Sequence, residues 1–423
     1  MNDTIKKFLN NASWIMIGRI FQLGLTFITT MLVTRYLGPT KYGTLTYVFS
    51  YIQLLIPLCT LGFNDIIVKE LVDDRDSNEK ILGTMILTRV VSSILSMIIS
   101  ITLVRLLNNN TSYIYIAFLQ SFSLLFQSFD CLMYFYQSKL LSKKTGIIYA
   151  LTYIITAIIR IIMIYTNRDI YYFAFAMSLD YIVLAILLFY AYRKDNLKLS
   201  FSFDLAKKLL KKSKYYIFSG FMVVLYGKVT DTLLLGKLVD ETSVGFYSAA
   251  TTLCNAWPFI LTAVIDSASP IIVDLYSKDK VMFEKRLKQL YASVFYIGLA
   301  VAIFITIFSD LIISIIYGEE YYLSSMPLKI ASWNTMFAYI GVSRNIWMQC
   351  ENKTKYEGII SLFGAIVSIL LNYVLIKQYG IIGAAIALTL TQFLTNIVFM
   401  FFIKDIRQNG KYILDAIMLK DIF

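Results

Sequence analysis

Eight ionisable side chains stand inside long apolar stretches: Arg19, Arg89, Arg160, Lys228 and Arg344 as cations, Asp130, Asp180 and Asp231 as acids. A charge in hydrocarbon is expensive, so such groups face a bundle interior or a water-filled path, pair with one another, or snorkel to the interface. Their neighbours are polar at helical spacing. Arg89 begins a stripe with Ser93, Ser96 and Ser100, at offsets of 4, 7 and 11 that fall on one helical face. Arg160 shares a face with Tyr149, Thr152, Tyr153 and Thr156, while Gln120, Gln127 and Asp130 form a third stripe. Arg19 lies one turn from Gln22, and Lys228 one turn from Asp231. Together these side chains read as the lining of a net-positive internal cleft, with Asp130, Asp180 or Asp231 able to exchange a proton or a sodium ion beside a cation. Packing readings stay open beside this one. Arg19 and Arg89 are close enough to one membrane face to snorkel, and Lys228 with Asp231 can be an ion pair that fixes two helices. Ser361, Ala365, Ser368 and Asn372 read as a small-residue packing stripe.

Other chemistries are excluded by what the chain lacks. It contains no histidine, and Cys59, Cys131, Cys254 and Cys350 form no C-x-x-C pair, so the usual ligands of zinc or haem are missing and no metal centre or cofactor is expected. A Ser-His-Asp or Cys-His nucleophile cannot be assembled, and no G-x-x-x-x-G-K-[ST] loop is present to cradle the phosphates of ATP. The spacing therefore points to movement of a substrate rather than to an enzyme.

The elements that must position these residues are membrane-spanning helices. Of the 423 residues 58% are hydrophobic and 16% charged, and the mean hydropathy of +0.67 is far above soluble usage. The apolar residues recur in blocks of about 20, enough to cross roughly 30 Å of hydrocarbon as helix. The runs are continuous rather than alternating, which excludes a transmembrane barrel. Spans are predicted near 12–34, 43–63, 81–107, 112–136, 145–165, 170–191, 215–238, 245–266, 290–316, 328–350, 356–376 and 380–403, about twelve helices. With the N-terminus in the cytoplasm, 27 of the 39 Lys and Arg fall on the cytoplasmic side and Arg35, Lys41, Arg105, Arg168, Lys237, Lys329 and Lys377 on the other, so both termini are predicted to be cytoplasmic. This bias accounts for most of the net charge of +12 through anionic lipid headgroups, without nucleic acid as a partner. The first apolar stretch has no small-residue cleavage site and reads as a retained helix.

A shift of 202 residues aligns Gly18 with Gly220, Arg35 with Lys237, Gly43 with Gly245, and Lys6-Lys7 with the basic run from Lys207 to Lys214. The chain thus reads as two pseudo-symmetric bundles of six helices, 1–191 and 215–403, joined by a basic cytoplasmic linker at 192–214 and followed by a cytoplasmic tail at 404–423.

Two motifs carry a family resemblance. Arg35 to Gly43, RYLGPTKYG, resembles the R-x-L-G-x-x-x-[FY]-G turn of the polysaccharide flippases in the multidrug/oligosaccharidyl-lipid/polysaccharide (MOP) superfamily. Asn372 to Ala385, NYVLIKQYGIIGAA, is similar to that family's connection between its last two helices. Length and span number resemble Wzx-type O-antigen flippases more than lipid II flippases, which usually carry two extra helices. The resemblance implies an all-α integral membrane protein of MATE-like fold in the bacterial inner membrane. It implies alternating-access export of a polyprenyl-pyrophosphate-linked oligosaccharide, an O-antigen or capsule precursor, from the cytoplasmic to the periplasmic leaflet, driven by an H+ or Na+ gradient. A polysaccharide polymerase and a chain-length regulator are the partners it implies. The cations would meet the pyrophosphate, and tyrosine rings would stack on sugars. The rival readings are a multidrug/cation antiporter of the same superfamily, which would favour an acidic cavity, and a lipid II flippase.

Overall fold

The computed structural model describes residues 3–73, 78–108, 110–195 and 198–420, with the side chains of residues 3–17, Arg19, Asp65 and Lys228 outside that description. The described chain is helical throughout, with no strand: α1 (Asp3–Leu54), α2 (Ile56–Thr60), α3 (Ile67–Asp73), α4 (Asn78–Leu107), α5 (Thr111–Gln127), α6 (Cys131–Ser138), α7 (Ser142–Tyr165), α8 (Ile170–Lys194), α9 (Phe203–Tyr226), α10 (Lys228–Leu238), α11 (Glu241–Cys254), α12 (Phe259–Lys278), α13 (Lys280–Ile316), α14 (Ser325–Ala331), α15 (Asn334–Cys350), α16 (Lys355–Phe393) and α17 (Arg407–Ile417). In hydrocarbon each backbone amide must be satisfied within its own segment, and helices do this.

Eight stretches among the described residues are long and apolar enough to cross a membrane, and nine when the pair meeting at a 50° bend between α9 and α10 is counted as one span. Two of them bend at a glycine. α1 turns at Gly38, which adopts φ 70° just before Pro39, and α16 turns at Gly380, with φ 56°. Left-handed backbone is open to glycine, and a proline interrupts the helical hydrogen-bond ladder. Val91, Ile98 and Leu106 on α4 are all more than half exposed, as a surface solvated by lipid tails permits. The chain is a multi-pass membrane protein.

The described chain divides into two compact units, Met1–Leu37 with Thr44–Phe221, and Gly38–Gly43 with Met222–Phe423. The core of the first includes Ile67, Leu82, Met85, Leu132, Leu188 and Tyr192. The basic segment that follows α8 is laid against this core. Ala206, Leu209 and Ser213, at i, i+3 and i+7 of α9, are buried. Ser202 N–H donates to Thr84 Oγ1 at 3.1 Å, and a Cβ on Gly83 would stand 2.3 Å from the Ser200 carbonyl oxygen. At the edge of this segment Lys144 donates to Asp195, holding that carboxyl below the usual carboxylate range, and the Tyr136 hydroxyl adds a second hydrogen bond at 2.8 Å.

The second unit is centred on Leu287, Tyr291, Ile340, Trp347, Met400 and Ile413. Its terminal helix α17 is docked rather than free: Asn409 Nδ2 donates to the Tyr291 hydroxyl at 2.7 Å, and Lys288 pairs with Asp415 at 3.0 Å. Residues 38–43 also belong to this unit. A Cβ on Gly43 would lie 1.7 Å from the Glu241 carbonyl oxygen, and one on Gly245 would lie 2.0 Å from that of Pro39. Thr40 and Thr242 share a hydrogen bond of 3.0 Å. Thr40 with Thr242 and Gly43 with Gly245 are each 202 apart in sequence, the shift of the expected repeat, and they meet where only glycine allows the backbones to touch.

Candidate functional site

In the first unit four of the eight charged candidates are described, and they adopt two kinds of setting. Arg89 is fully buried on α4. Its Nη2 donates to the Gln127 carbonyl at 3.0 Å, and its Nη1 to Asn64 Oδ1 at 3.2 Å and Cys131 Sγ at 3.1 Å. Gln127 is the last residue of α5, where a 3-10 turn (Ser128–Asp130) separates α5 from α6 and leaves a carbonyl that needs a donor. The guanidinium supplies it. The stripe of Ser93, Ser96 and Ser100 after Arg89 is buried, and Ser93 shares a hydrogen bond with Ser128 at 2.8 Å; the neighbouring Ser92 Oγ donates to the Leu58 carbonyl at 2.6 Å. Gln120 is likewise buried, its Nε2 donating to the Leu45 carbonyl at 3.0 Å.

Arg160 of α7 and Asp180 of α8 form an ion pair at 2.8 Å, with side chains 12% and 19% exposed. The second contact of Arg160 is the Ala176 carbonyl at 3.0 Å. Asp180 Oδ1 is buried and, among the described residues, accepts no hydrogen bond. Asp130, in the 3-10 turn, is half-buried and likewise accepts none among the described residues. Tyr153 stands within electrostatic range of Asp130, Arg160 and Asp180, so these groups share one neighbourhood. Gln22 Nε2 donates to the Tyr153 hydroxyl at 2.6 Å, and the rings of Tyr149 and Tyr153 lie parallel, 6.3 Å apart. Beside them opens a pocket of about 390 Å³ lined by Gln22, Gln137, Ser142, Thr145, Tyr134 and Tyr149 among others. The donors and acceptors there are uncharged, and aromatic faces border them. Such a surface suits hydroxyl-rich rings. Of these lining residues only Gln22 and Tyr149 are singled out by charge and stripe spacing; Gln137, Ser142 and Thr145 sit at a helix junction that hydropathy reads as a plain polar loop.

The second unit holds Asp231 and Arg344. Asp231 is buried on α10, accepts from Asn372 Nδ2 at 2.7 Å and from the Tyr247 hydroxyl, and so links α10, α16 and α11. Asn372 also reaches Ser368, and its Oδ1 is buried without a hydrogen-bond donor among the described residues. One residue of the expected small-residue stripe, Asn372, thus contacts the buried carboxylate, and a second, Ser368, accepts from that asparagine. Arg344 of α15 is buried with no carboxylate partner among the described residues. Its Nη1 donates to Asn396 Oδ1 at 3.2 Å, and Asn396 Nδ2 reaches the Tyr226 hydroxyl at 2.8 Å and Gln392 Oε1 at 2.9 Å. Asn396 lies in a π-turn (Leu394–Val398), a local widening that turns side chains out of helical register and recurs at functional sites. Gly364 leaves room for the ring of Tyr226, since a Cβ there would be 2.5 Å from Tyr226 Cδ2. Gln392 and Asn396, at i and i+4 in an apolar run, are the sequence signal for this network. The side chains of Arg19 and Lys228 lie outside the described residues. Among the described residues no cluster of three or more Cys, Asp or Glu is placed to hold a metal ion.

These arrangements can be set beside known proteins. The polysaccharide biosynthesis protein model matches residues 8–276, and the MatE model matches residues 216–374. A "Putative O-antigen transporter" of Escherichia coli is 22% identical over 403 residues, 90% of this chain and 93% of that one. The capsular polysaccharide biosynthesis protein CapF of Staphylococcus aureus is 23% identical over 175 residues, 41% of this chain and 44% of that protein, so the chain matches less than half the length of that relative. The fold is shared with an inward-facing multidrug resistance MATE family transporter of the MOP superfamily, at TM-score 0.71 and 14% identity over 95% of this chain and 99% of the other. It is shared also with the lipid II flippase MurJ in an inward closed conformation, at TM-score 0.68 and 14% identity over 97% and 90%. The family model covers well over half of the sequence, and the chain belongs to the polysaccharide biosynthesis protein family.

Proposed function

We propose that this protein is a flippase for a polyprenyl-pyrophosphate-linked oligosaccharide, an O-antigen or capsule precursor, carried from the cytoplasmic to the periplasmic leaflet of a bacterial inner membrane. The observation that carries the reading is the neighbourhood of Asp130, Arg160, Asp180 and Tyr153 beside the amide- and hydroxyl-lined pocket in otherwise apolar helices. Polar groups at membrane depth are retained where they meet a polar cargo or one another. The full-length similarity to the Escherichia coli relative supports a cargo of this class.

In this reading Arg160 attracts the pyrophosphate, Tyr149 and the pocket amides meet the sugars, and the lipid tail stays in the bilayer. Alternation between inward and outward access moves the headgroup. Asp231 is the carboxylate we assign to ion coupling, because its neighbour Asn372 keeps an amide oxygen without a donor among the described residues and hard cations prefer such oxygens. Both termini face the cytoplasm. A polysaccharide polymerase and a chain-length regulator act on the product.

A multidrug or cation antiporter is the second reading, and the MatE model over residues 216–374 favours it. Deletion of the gene separates the two. Loss of the surface polymer with cytoplasmic build-up of lipid-linked repeat units, restored by wild type and not by Arg160→Ala, is the flippase outcome. A deletion strain with normal polymer and increased drug sensitivity is the antiporter outcome, and loss of viability with accumulated lipid II marks a lipid II flippase.

A further inference from the structure

The first unit contains a second cavity, outside the polar neighbourhood just described. It has a volume of about 650 Å³ and is walled by α3, the start of α4 and the first turns of α9. Four lysines line it: Lys69, Lys80, Lys208 and Lys212. Two carboxylates, Glu70 and Asp73, stand among them. Lys212 is committed to Glu70 at 2.5 Å and ties α9 to α3. Lys69, Lys80 and Lys208 form no ion pair among the described residues, so the cleft keeps unspent positive charge. Its floor is apolar, with Ile66 and Ile81 buried. On the same segments Val68, Val72, Phe201 and Phe203 are exposed. Lysines that gather over an apolar floor, beside outward apolar side chains, describe a surface seated at the headgroup level of a membrane. The distribution of Lys and Arg assigns this face to the cytoplasm.

We propose that this cleft is a loading site for the diphosphate headgroup of the lipid-linked cargo, taken from the cytoplasmic leaflet before the headgroup enters the membrane interior. The site rests on the flippase reading and deepens it. The chemistry recognised is a lipid-borne phosphate. Four lysines against two carboxylates leave a surplus of two positive charges, which matches the dianion of a glycosylated polyprenyl diphosphate better than the single charge of phosphatidylglycerol. The apolar floor and rim take the first isoprene units, and the lysines take the phosphate oxygens as mobile point charges. The Lys212–Glu70 pair fixes the wall without contributing free charge.

The test uses the full-length protein in phosphatidylcholine nanodiscs and a fluorescent polyprenyl diphosphate as probe, with phosphatidylglycerol and inorganic pyrophosphate as competitors. We expect K69Q/K80Q/K208Q to weaken probe binding about 100-fold, at an unchanged melting temperature because all three side chains are exposed. K280Q/K404Q/K411Q, which removes the same charge from the second unit, should leave binding unaltered. Equal binding by wild type and K69Q/K80Q/K208Q overturns the site. Full displacement by equimolar phosphatidylglycerol assigns it to bulk phospholipid and overturns the cargo assignment, and displacement by equimolar pyrophosphate overturns the need for a lipid. A transport assay on the same samples keeps the two claims apart. Wild type that binds the probe in the cleft but does not flip a glycosylated form refutes the flippase reading alone, whereas flipping with indifferent lysines refutes the cleft alone.

Discussion

The two units hold their intramembrane arginines differently. In the first, Arg160 meets the carboxylate of Asp180 next to a pocket, with both side chains partly open. In the second, Arg344 is closed off and has only amide and thioether partners among the described residues. Arg89, although in the first unit, resembles Arg344: each gives its donors to a place where a helix loses its regular ladder, and each keeps a buried Nε without an acceptor among the described residues. A membrane-depth arginine can thus be a structural donor at a helix break or a member of an accessible charged neighbourhood. Position in an apolar span does not separate the two uses; the partner does.

Substitutions can break or sharpen that contrast. The largest effect is expected from Arg160→Leu or Asp180→Leu, which leaves one charge uncompensated at low exposure and costs about 3 kcal/mol, read by thermal unfolding in detergent. R160Q/D180N removes both charges and should regain most of that stability without regaining transport; recovery of transport by the double variant would make the pair a packing element. Next comes Arg344→Met. It strips the donor from Asn396 Oδ1 and should lower stability by about 1–3 kcal/mol, while transport per folded molecule stays near wild type. A transport defect larger than the loss of folded protein would move Arg344 into the class of Arg160.

Asp231→Asn preserves shape but weakens the acceptor of Tyr247 and Asn372, so about 1 kcal/mol is expected, together with a transport rate that no longer responds to an imposed H+ or Na+ gradient. The smallest effect belongs to Lys144→Gln. Asp195 is held below its ordinary range by the Lys144 hydrogen bond, so the pair stabilises the fold above the ordinary carboxylate pKa of about 4 and is lost as pH falls through the depressed value. Both side chains are about a third exposed, which keeps the contribution below about 1 kcal/mol. A wild-type advantage at pH 7 that shrinks toward pH 3 is the expected unfolding result.

Much of the fold is legible in the sequence because hydrocarbon admits so few backbone solutions. The apolar blocks announce helices, and RYLGPTKYG marks the turn where Gly38 takes a left-handed φ and Gly43 meets backbone. The turn at Gly380 and the close pass of Gly383 against Leu375 explain NYVLIKQYGIIGAA in the same way. The breaks within spans are harder to read. Hydropathy continues across the 3-10 turn after Gln127 and the π-turn at Leu394–Val398, so neither helix break shows in composition. Length and apolarity alone yield eight or nine crossing stretches where twelve spans are expected, partly because α1 and α16 each continue through a glycine turn.

Partners across helices were out of reach for a different reason. Arg160 and Asp180 lie on separate helices, and Asn372 reads as a packing residue until α10 brings Asp231 to it. Charge dominates the reading of 192–214 as a linker, although Ala206, Leu209 and Ser213 already carry the period of a helix with one buried face. The side chains of Arg19 and Lys228 lie outside the described residues, so their part in either setting rests on the sequence.

The most direct test of the account is transbilayer movement of a fluorescent polyprenyl-pyrophosphate oligosaccharide in proteoliposomes holding the purified protein. Movement should require the protein, persist in Arg344→Met in proportion to folded protein, and be abolished in R160Q/D180N. No movement of this lipid by wild type, with exchange of a cationic drug against H+ or Na+ in the same vesicles, would contradict it.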